Sequence, residues 1–321
     1  MPKPPTVTRR DLLKTSARAA ACVALAPWLR QVALAADPPA APRKKILFFT
    51  KSSGFQHFMI ERPKDSPQTL SRAEKILTGL GAANGFDITC SKDGSLFSDP
   101  AINDFDAFIF YTTGDLTEAG ADKTPPMTKA AKAQFLQSIK DGKGFIGLHS
   151  ATDTFHSKPA SPPSKELIRD QNETGADDFD PYIQMLGGEF IRHGAQQPSI
   201  LRCADPKFPG ASGFDGAKFV EEWYSLKNFA PDLHVILIQD PTGMKGPMYS
   251  RQPFPETWAR GEGKGPVFYT SMGHREDVWR KAEFTSLLVG AMNWASGRVE
   301  VDVTPNIKDV TPQADPKPFP A

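Results

Sequence analysis

Cysteine is scarce in this sequence. Only 3 of the 321 residues are cysteine, and Cys22 lies in an N-terminal segment that we expect to be removed. Cys90 and Cys203 then remain, which excludes the framework of several disulfides that stabilises small secreted domains. A single bridge between them would form only if the fold brings them together, and two buried thiols are the simpler interpretation.

A surplus of charge of either sign is also missing. The formal net charge is +1, although the first 35 residues hold six basic residues and one acidic residue. The remainder holds 32 basic and 36 acidic residues, a net charge of −4. This balance gives no electrostatic footprint for nucleic acid or an anionic membrane surface, so we expect no nucleic-acid partner.

Long hydrophobic runs are absent as well. The run AAACVALAPWL near the N-terminus is far shorter than the roughly 20 residues that span a membrane. Arg9 and Arg10 precede it and small residues at 33–35 follow it, a pattern typical of a twin-arginine export signal. We therefore expect residues 1–35 to be a twin-arginine signal peptide, cleaved near Ala35, and the mature protein to be periplasmic or secreted without a membrane span. A retained membrane anchor is the alternative.

Strand-like and helix-like segments alternate after a Pro- and Ala-rich linker at 36–44. Short apolar segments rich in strand formers predict strands, and apolar residues at helical spacing predict helices. The predicted strands are 45–50, 86–92, 106–112 and 144–148, and the predicted helices are 67–83 and 128–142. This alternation predicts an α/β fold with a mostly parallel, doubly wound sheet, in which functional loops follow the carboxyl ends of the strands.

The second half of the chain is less regular. Residues 157–180 are rich in Pro, Ser and acidic residues and predict an inserted loop. The later patterns predict a short helix at 180–187, strands at 199–205, 218–227 and 234–240, a hairpin at 255–274 and a closing helix at 279–296. One domain is therefore expected over 45–298, followed by an extended Pro-rich tail at 299–321.

The segment GKGFIGLHSATDTFHS contains an apolar strand that stops at His149. Residues 147–151 have the position of the strand-to-helix turn that holds the nucleophile of many α/β hydrolases at the top of the sheet. Here the central residue is histidine and Ser150 comes one position too late, which disfavours a serine or cysteine hydrolase. A histidine that only ends a strand is the alternative interpretation.

A second histidine, His274, follows the predicted hairpin. Glu276 stands two residues later, which resembles the His-x-Glu half of a glutamine amidotransferase triad, where the acid orients the imidazole. This pair lacks a cysteine partner at the elbow. We predict that His149 and His274 are catalytic and transfer protons, because the ordinary pKa of histidine lies near neutrality.

Further polar residues stand near the ends of predicted strands or in small-residue loops. The predicted substrate-binding residues are Ser53, His57, Thr113, Asp115, Ser150, His193, Glu222 and Trp223. Histidines and carboxylates also bind divalent transition metals, and the candidate ligands are His57, His193, Glu222 and His274. The sequence has no HExxH or other local ligand spacing, so a metal site would be assembled from distant loops. A metal-free polar pocket is the alternative.

These segments together resemble the ThuA-like family, the trehalose-utilisation proteins of the class I glutamine amidotransferase-like superfamily. The matching stretches, from about Lys45 to Gly297, are KILFFTKSSGFQH, DAFIFYTTGD, GKGFIGLHSATDTF, GGEFIRHG, EEWYSLKNF and PETWARGEGKGPVFYTSMGHREDVW. The resemblance implies a flavodoxin-like three-layer α/β/α sandwich in which His149 occupies the position of the amidotransferase cysteine. It places the pocket at His57, His149, His193, Glu222 and His274.

The resemblance also implies a role in carbohydrate metabolism, with a sugar oxidoreductase as a partner in the same pathway. We expect an exported enzyme that hydrolyses, eliminates or isomerises a glycoside or keto-sugar, by histidine acid–base or metal-assisted chemistry. A divalent metal ion is the candidate cofactor. The alternative is a non-catalytic sugar-binding or accessory module, and glutamine amidotransferase activity is not expected.

Overall fold

The structure of the protein, a computed structural model, describes residues 42–121, 123–157 and 179–314. The predicted export signal, most of the predicted linker and most of the predicted inserted loop lie outside these residues, as does the end of the predicted tail. No helix within the described ranges combines the length and the apolar character that a membrane crossing requires.

The strands and helices alternate in the first half of the chain. The strands are β1 (Lys44–Phe49), β2 (Phe86–Ser91), β3 (Ala107–Phe110), β4 (Gly144–Leu148), β5 (Glu189–His193), β6 (Gln197–Cys203), β7 (Lys218–Glu221), β8 (Tyr224–Lys227), β9 (His234–Asp240), β10 (Phe254–Glu262) and β11 (Gly265–Thr270). The α-helices are α1 (Arg72–Ala83), α2 (Lys129–Lys140), α3 (Pro181–Leu186), α4 (Glu276–Trp279), α5 (Ala282–Ala295) and α6 (Ile307–Val310).

Nine of the described strands form one mixed sheet in the order β2-β1-β3-β4-β11-β10-β9-β6-β7. Four neighbouring pairs are parallel: β2–β1, β1–β3, β3–β4 and β4–β11. The remaining pairs, from β11–β10 to β6–β7, are antiparallel. The prediction of an α/β fold with a parallel core of four alternating strands is confirmed, and so is the predicted hairpin, which is β10–β11.

The sheet lies between two hydrophobic layers, because successive side chains of a strand point to opposite faces. In β1, Ile46 and Phe48 join the cluster that contains Leu77 of α1 and Leu287 of α5. Leu47 and Phe49 join the other cluster, with Phe135 of α2 and Tyr182 of α3. A strand buried on both faces is apolar at nearly every position, which explains the run ILFF. The flavodoxin-like three-layer arrangement is confirmed.

The predicted strand 218–227 is wrong as a single element, because the chain breaks after β7 and continues as β8 in a separate two-stranded sheet with β5. Trp223 is fully buried at the break, where its indole nitrogen donates to the carbonyl of Gln197. The carboxylate of Glu221 accepts the backbone N–H of Glu222. The break turns Glu222 towards the ends of the parallel strands.

The described part of the C-terminal segment is not wholly extended as predicted. The short helix α6 forms there because Ile307 is buried and because Asn306 accepts from and donates to the backbone of Val235.

The two cysteines among the described residues, Cys90 and Cys203, are free and partly buried. Burial raises the pKa of each thiol to about 11, so neither is a reactive thiolate near neutral pH.

Candidate functional site

Three histidines and one glutamate converge at the carboxyl ends of the strands. His57 follows β1, His149 follows β4, His274 follows β11 and Glu222 follows β7. Each offers one ligand atom, and these atoms all lie within 4.8 Å of one another. We call these four residues the histidine cluster. The sheet order brings them together, since the loops that follow neighbouring parallel strands lie at one edge of the sheet.

The carboxylate of Glu222 is the centre of this group. Its Oε2 lies 3.1 Å from Nδ1 of His274, 3.6 Å from Nε2 of His149 and 3.9 Å from Nε2 of His57. Its Oε1 lies 3.4 Å from Nδ1 of His193, whose side chain is 43% exposed. Glu222 therefore has one oxygen towards the buried histidines and one towards the more exposed His193.

The backbone at His149 has the strained geometry expected of an elbow. Its φ is +46°, a left-handed conformation that costs a residue other than glycine about 1 to 3 kcal/mol. The hydroxyl of Tyr269 donates to the carbonyl of His149 at 2.7 Å and fixes this turn. Tyr224 packs against the imidazole, with ring centroids 4.2 Å apart.

Hydrogen bonding also fixes the tautomer of His149. Its Nδ1 lies 2.7 Å from the carbonyl oxygen of Ser271, and because a carbonyl only accepts, Nδ1 carries the proton. Its Nε2 is therefore left with a free lone pair. That atom is buried without a hydrogen bond and faces Glu222, as expected of a metal-ligating imidazole.

A buried carboxylate stands behind His149. Glu256 accepts hydrogen bonds from the hydroxyl and the backbone N–H of Ser271, at 2.7 and 3.0 Å, and from the hydroxyls of Thr257 and Thr270. Burial raises the pKa of Glu256 and outweighs the opposing effect of these hydrogen bonds. The residue holds Ser271, whose carbonyl in turn orients His149.

A second carboxylate positions the loop of His274. Oε1 of Glu221 accepts the backbone N–H groups of Gly273 and Arg275, at 2.9 and 3.3 Å. The Nε2 of His274 lies 2.9 Å from the amide nitrogen of Gln196. The two neighbouring glutamates thus have different roles, since Glu221 holds the backbone and Glu222 faces the histidines.

The electrostatics of the group favour a neutral imidazole at His57 and an ionised carboxylate at Glu222. Burial, together with the neighbouring imidazoles of His149 and His274, lowers the pKa of His57 to about 2. Burial alone would raise the pKa of Glu222, but its electrostatic interaction with the side chains of His149 and His274 outweighs burial and holds that pKa below its usual range. Neutral nitrogen and anionic oxygen are the forms that bind a divalent ion.

The donor set fits a transition metal in both chemistry and size. Three imidazoles and one carboxylate are ligands typical of Zn²⁺ and of other first-row divalent ions. At metal–ligand distances near 2.1 Å, tetrahedral geometry separates neighbouring ligand atoms by about 3.4 Å. The separations of 3.1 to 3.9 Å around Oε2 of Glu222 lie about this value. Small side-chain shifts would complete the coordination.

Two histidines lie in environments that do not suit the roles predicted for them. His149, predicted to transfer protons, is fully buried and belongs to the candidate ligand set. His193, predicted as a ligand, lies outside that set and is the more exposed residue, with its Nδ1 2.9 Å from the carbonyl oxygen of Gly194. These environments favour His149 as a ligand and His193 as the group that meets the substrate.

Several predicted substrate-binding residues lie elsewhere or serve the loops. Ser53 donates to the carbonyl of Glu118, and Thr113 donates to the carbonyl of Phe55. Asp115 is exposed and accepts from Thr117 in its own turn. Ser150 is fully buried beside the elbow, with no hydrogen bond to its hydroxyl. Trp223, also predicted to bind substrate, has its ring fully buried in the core.

Sequence reasoning missed residues whose role depends on partners distant in sequence. Glu256, Ser271 and Gln196 support the histidines through hydrogen bonds, and no local motif marks them. The position of Ser271 directly after a strand that leads to His274 is the only available signal.

His156 forms a separate group. Its ring nitrogens face Asp153 and Glu189 rather than the histidine cluster. Burial lowers the pKa of His156, but hydrogen bonds and charge from the two carboxylates outweigh it and raise the pKa to about 9. This group joins the turn after β4 to the start of β5.

The fold and the elbow define a flavodoxin-like α/β protein with histidine in the place of a nucleophile. The family model described as ThuA, trehalose utilisation, matches residues 45–168 and 172–295, and the chain belongs to this family. The family match agrees with the resemblance found in the sequence.

Solved structures of ThuA-like proteins show the same fold. One from Bacteroides uniformis ATCC 8492 has a TM-score of 0.54 and 20% identity, over 81% of this chain and 94% of that one. Another, from Parabacteroides merdae ATCC 43184, has a TM-score of 0.51 and 14% identity, over 82% of this chain and 93% of that one. None of the curated proteins matched this sequence.

Proposed function

We propose that this protein is a carbohydrate-active enzyme in which the histidine cluster holds one divalent transition metal ion. The observation that carries the proposal is the convergence of three imidazoles on one oxygen of Glu222, at ligand spacing and largely removed from water. A polar group that is buried without a partner is costly, so the free lone pair at Nε2 of His149 supports an ion between these side chains.

The proposed substrate is a glycoside or keto-sugar, in line with the trehalose-utilisation description of the family. A bound ion supplies polarisation of a carbonyl or hydroxyl oxygen. His193 and Oε1 of Glu222, 3.4 Å apart, form the pair that accepts or returns a proton on the open side. A keto-sugar substrate requires a preceding oxidation, so a sugar oxidoreductase is the proposed pathway partner.

Export is part of the same proposal. The paired arginines at the N-terminus and the small residues at 33–35 support twin-arginine transport to the periplasm or beyond. That route carries folded proteins, so a metal bound before export would remain in place.

The first experiment measures metal and turnover together. Mature protein purified without chelators should contain about one transition metal ion per chain, and Glu222→Gln should lower metal affinity by roughly a hundredfold. Wild-type protein should act on glycosides or 3-keto glycosides, and chelation should abolish turnover. His193→Gln should keep the metal and lose turnover, because His193 lies outside the ligand set.

The matched control is Glu300→Gln, which makes the same chemical change at an exposed carboxylate. It should leave the metal affinity and the turnover unchanged. Metal-free wild-type protein, after growth and purification in the presence of Mn²⁺, Fe²⁺ and Zn²⁺, would contradict the metal site. A metal-loaded protein that binds sugar without turnover would instead favour a binding module.

A further inference from the structure

Two exposed phenylalanines lie beside the histidine cluster. Phe55 is 69% exposed and Phe58 is 38% exposed, and both stand in the loop after β1 that carries His57. Among the described residues, only Ile200, Val220 and Val299 are other large hydrophobic residues with comparable exposure. The two aromatic members of this set therefore share one loop at the site.

Each phenyl ring contacts a different histidine of the cluster. The ring of Phe55 meets His57 edge to face, with centroids 5.0 Å apart and an interplanar angle of 83°. The ring of Phe58 meets His274, with centroids 5.8 Å apart and an angle of 69°. The two rings thus contact the cluster through His57 and His274, and both rings are exposed to solvent.

The loop that presents these rings is held firmly. The carbonyl of Phe55 accepts a hydrogen bond of 2.7 Å from the hydroxyl of Thr113, and the N–H of Gly54 donates to the carbonyl of Thr113. A Cβ atom at Gly114 would stand 2.5 Å from the nitrogen of Gly54, so the two loops are in close contact. A fixed backbone with outward phenyl rings is a preformed surface, which favours binding because little order must be gained.

The chemistry beside the rings limits what they can bind. The cluster that the rings contact also contains Glu222, whose Oε1 lies 3.4 Å from the partly exposed imidazole of His193, and both of these groups are polar. A ligand for this place needs an apolar face for the rings and an oxygen-rich edge for the polar groups. A pyranose ring has both, since its C–H groups lie on its faces and its hydroxyls on its edge.

We infer that Phe55 and Phe58 form the sugar-stacking subsite of this protein, which sets a pyranose ring against the histidine cluster. This inference rests on the proposed function and names the residues that select its substrate. Trp223 and Trp258 cannot serve as the stacking residues, because both are fully buried.

The test measures sugar binding and metal content separately. Metal content is determined first, so that a failure of the metal site is known before sugar is added. Saturation-transfer NMR and calorimetry are then performed with trehalose, methyl α-D-glucopyranoside and methyl β-D-glucopyranoside. Phe55→Ala combined with Phe58→Ala should keep the metal and the melting temperature and should weaken pyranoside binding roughly tenfold or more.

Two further variants make the result specific. Phe55→Tyr keeps an aromatic face and should retain wild-type affinity. Ile200→Ala removes an exposed apolar side chain, 48% exposed, from β6 and should also leave affinity unchanged. Metal-loaded wild-type protein that binds none of the three pyranosides, or a double variant that binds them as tightly as wild type, overturns the subsite and leaves the metal site standing.

Discussion

At the scale of single residues, the site depends on how carboxylates divide their tasks. Glu222 faces the imidazoles directly, whereas Glu221 and Glu256 act on the backbone that carries them. Buried carboxylates that accept several hydrogen bonds fix the loops in which histidines lie. The rotamers of His149 and His274 are therefore set by groups that never touch a ligand themselves.

Glu256→Ala should lower the metal affinity roughly 10- to 100-fold, although Glu256 is not in the ligand set. The N–H and the hydroxyl of Ser271 both donate to Oε1 of the native carboxylate, so this change removes the acceptor that they share. The carbonyl of Ser271 would then shift away from Nδ1 of His149. Competition with a chromophoric chelator measures this change.

A purely structural role for Glu256 would give a different result. The melting temperature of the metal-free protein would fall, yet the folded fraction would bind metal as tightly as wild type. Unchanged affinity in Glu256→Ala would therefore contradict the positioning role.

At the scale of elements, the turn after β4 has two anchors. Its first residue, His149, is held by Tyr269 and Ser271, and its far end is joined to β5 through His156 and Glu189. Glu189 is buried and also accepts the backbone N–H of Ser157 and the amide of Asn228. The group formed by His156 therefore links two sheets.

His156 should make stability depend on pH in the alkaline range. Its pKa is about 9 in the folded protein and 6.5 in the unfolded chain. Because the folded state holds the proton more tightly, this contribution is fully present below pH 6.5 and is lost as the pH rises through 9. His156→Gln should remove that dependence.

Urea denaturation of wild type and His156→Gln at several pH values between 6 and 10 tests this expectation. The wild-type advantage in free energy of unfolding should be largest near pH 6 and should shrink towards pH 10. The side chain of His156 is 41% exposed, so screening by solvent keeps the effect modest. An advantage that is constant over this range would contradict the ion-pair explanation.

At the scale of the whole molecule, the sequence predicts the features that depend on local patterns better than those that depend on contacts between distant residues. The runs KILFF and GFIGL predict buried parallel strands because burial on both faces leaves a continuous apolar signature in the sequence. In the antiparallel half, β9 has a similar apolar run, VILI, but nothing in that run shows the direction of its neighbours. At the break between β7 and β8, Trp223 contacts Gln197, and no local pattern shows this contact.

The site likewise has some features that local sequence patterns show and others that depend on contacts between distant residues. His57 and His149 could be named from the sequence because they follow strand-like runs, and strand ends are where α/β proteins place their loops. Distances, tautomers and the division between buried His149 and exposed His193 depend on the sheet order. Aromatic residues are alike in a hydropathy pattern, so burial of Trp223 and exposure of Phe55 could not be told apart.

Export is the remaining property of the whole chain to test. Arg9→Lys combined with Arg10→Lys should retain the protein in the cytoplasm, since lysine does not reproduce the guanidinium pair of the signal. Arg18→Lys combined with Arg30→Lys is the matched control and should be exported normally. Cell fractionation with immunoblotting measures the distribution, and mass spectrometry of the exported form should show cleavage near Ala35. Equal export of both variants would contradict the twin-arginine signal.

The position of Glu222 in the sheet has a consequence for folding. It follows β7, an edge strand at the antiparallel end, whereas His57 and His149 follow strands of the parallel half. An ion held between them would tether chain segments more than 160 residues apart and would bind the native chain far better than the unfolded one. The free energy of metal binding would then also contribute to the free energy of folding. The proposed metal site would therefore stabilise the association of the parallel and antiparallel halves of the sheet.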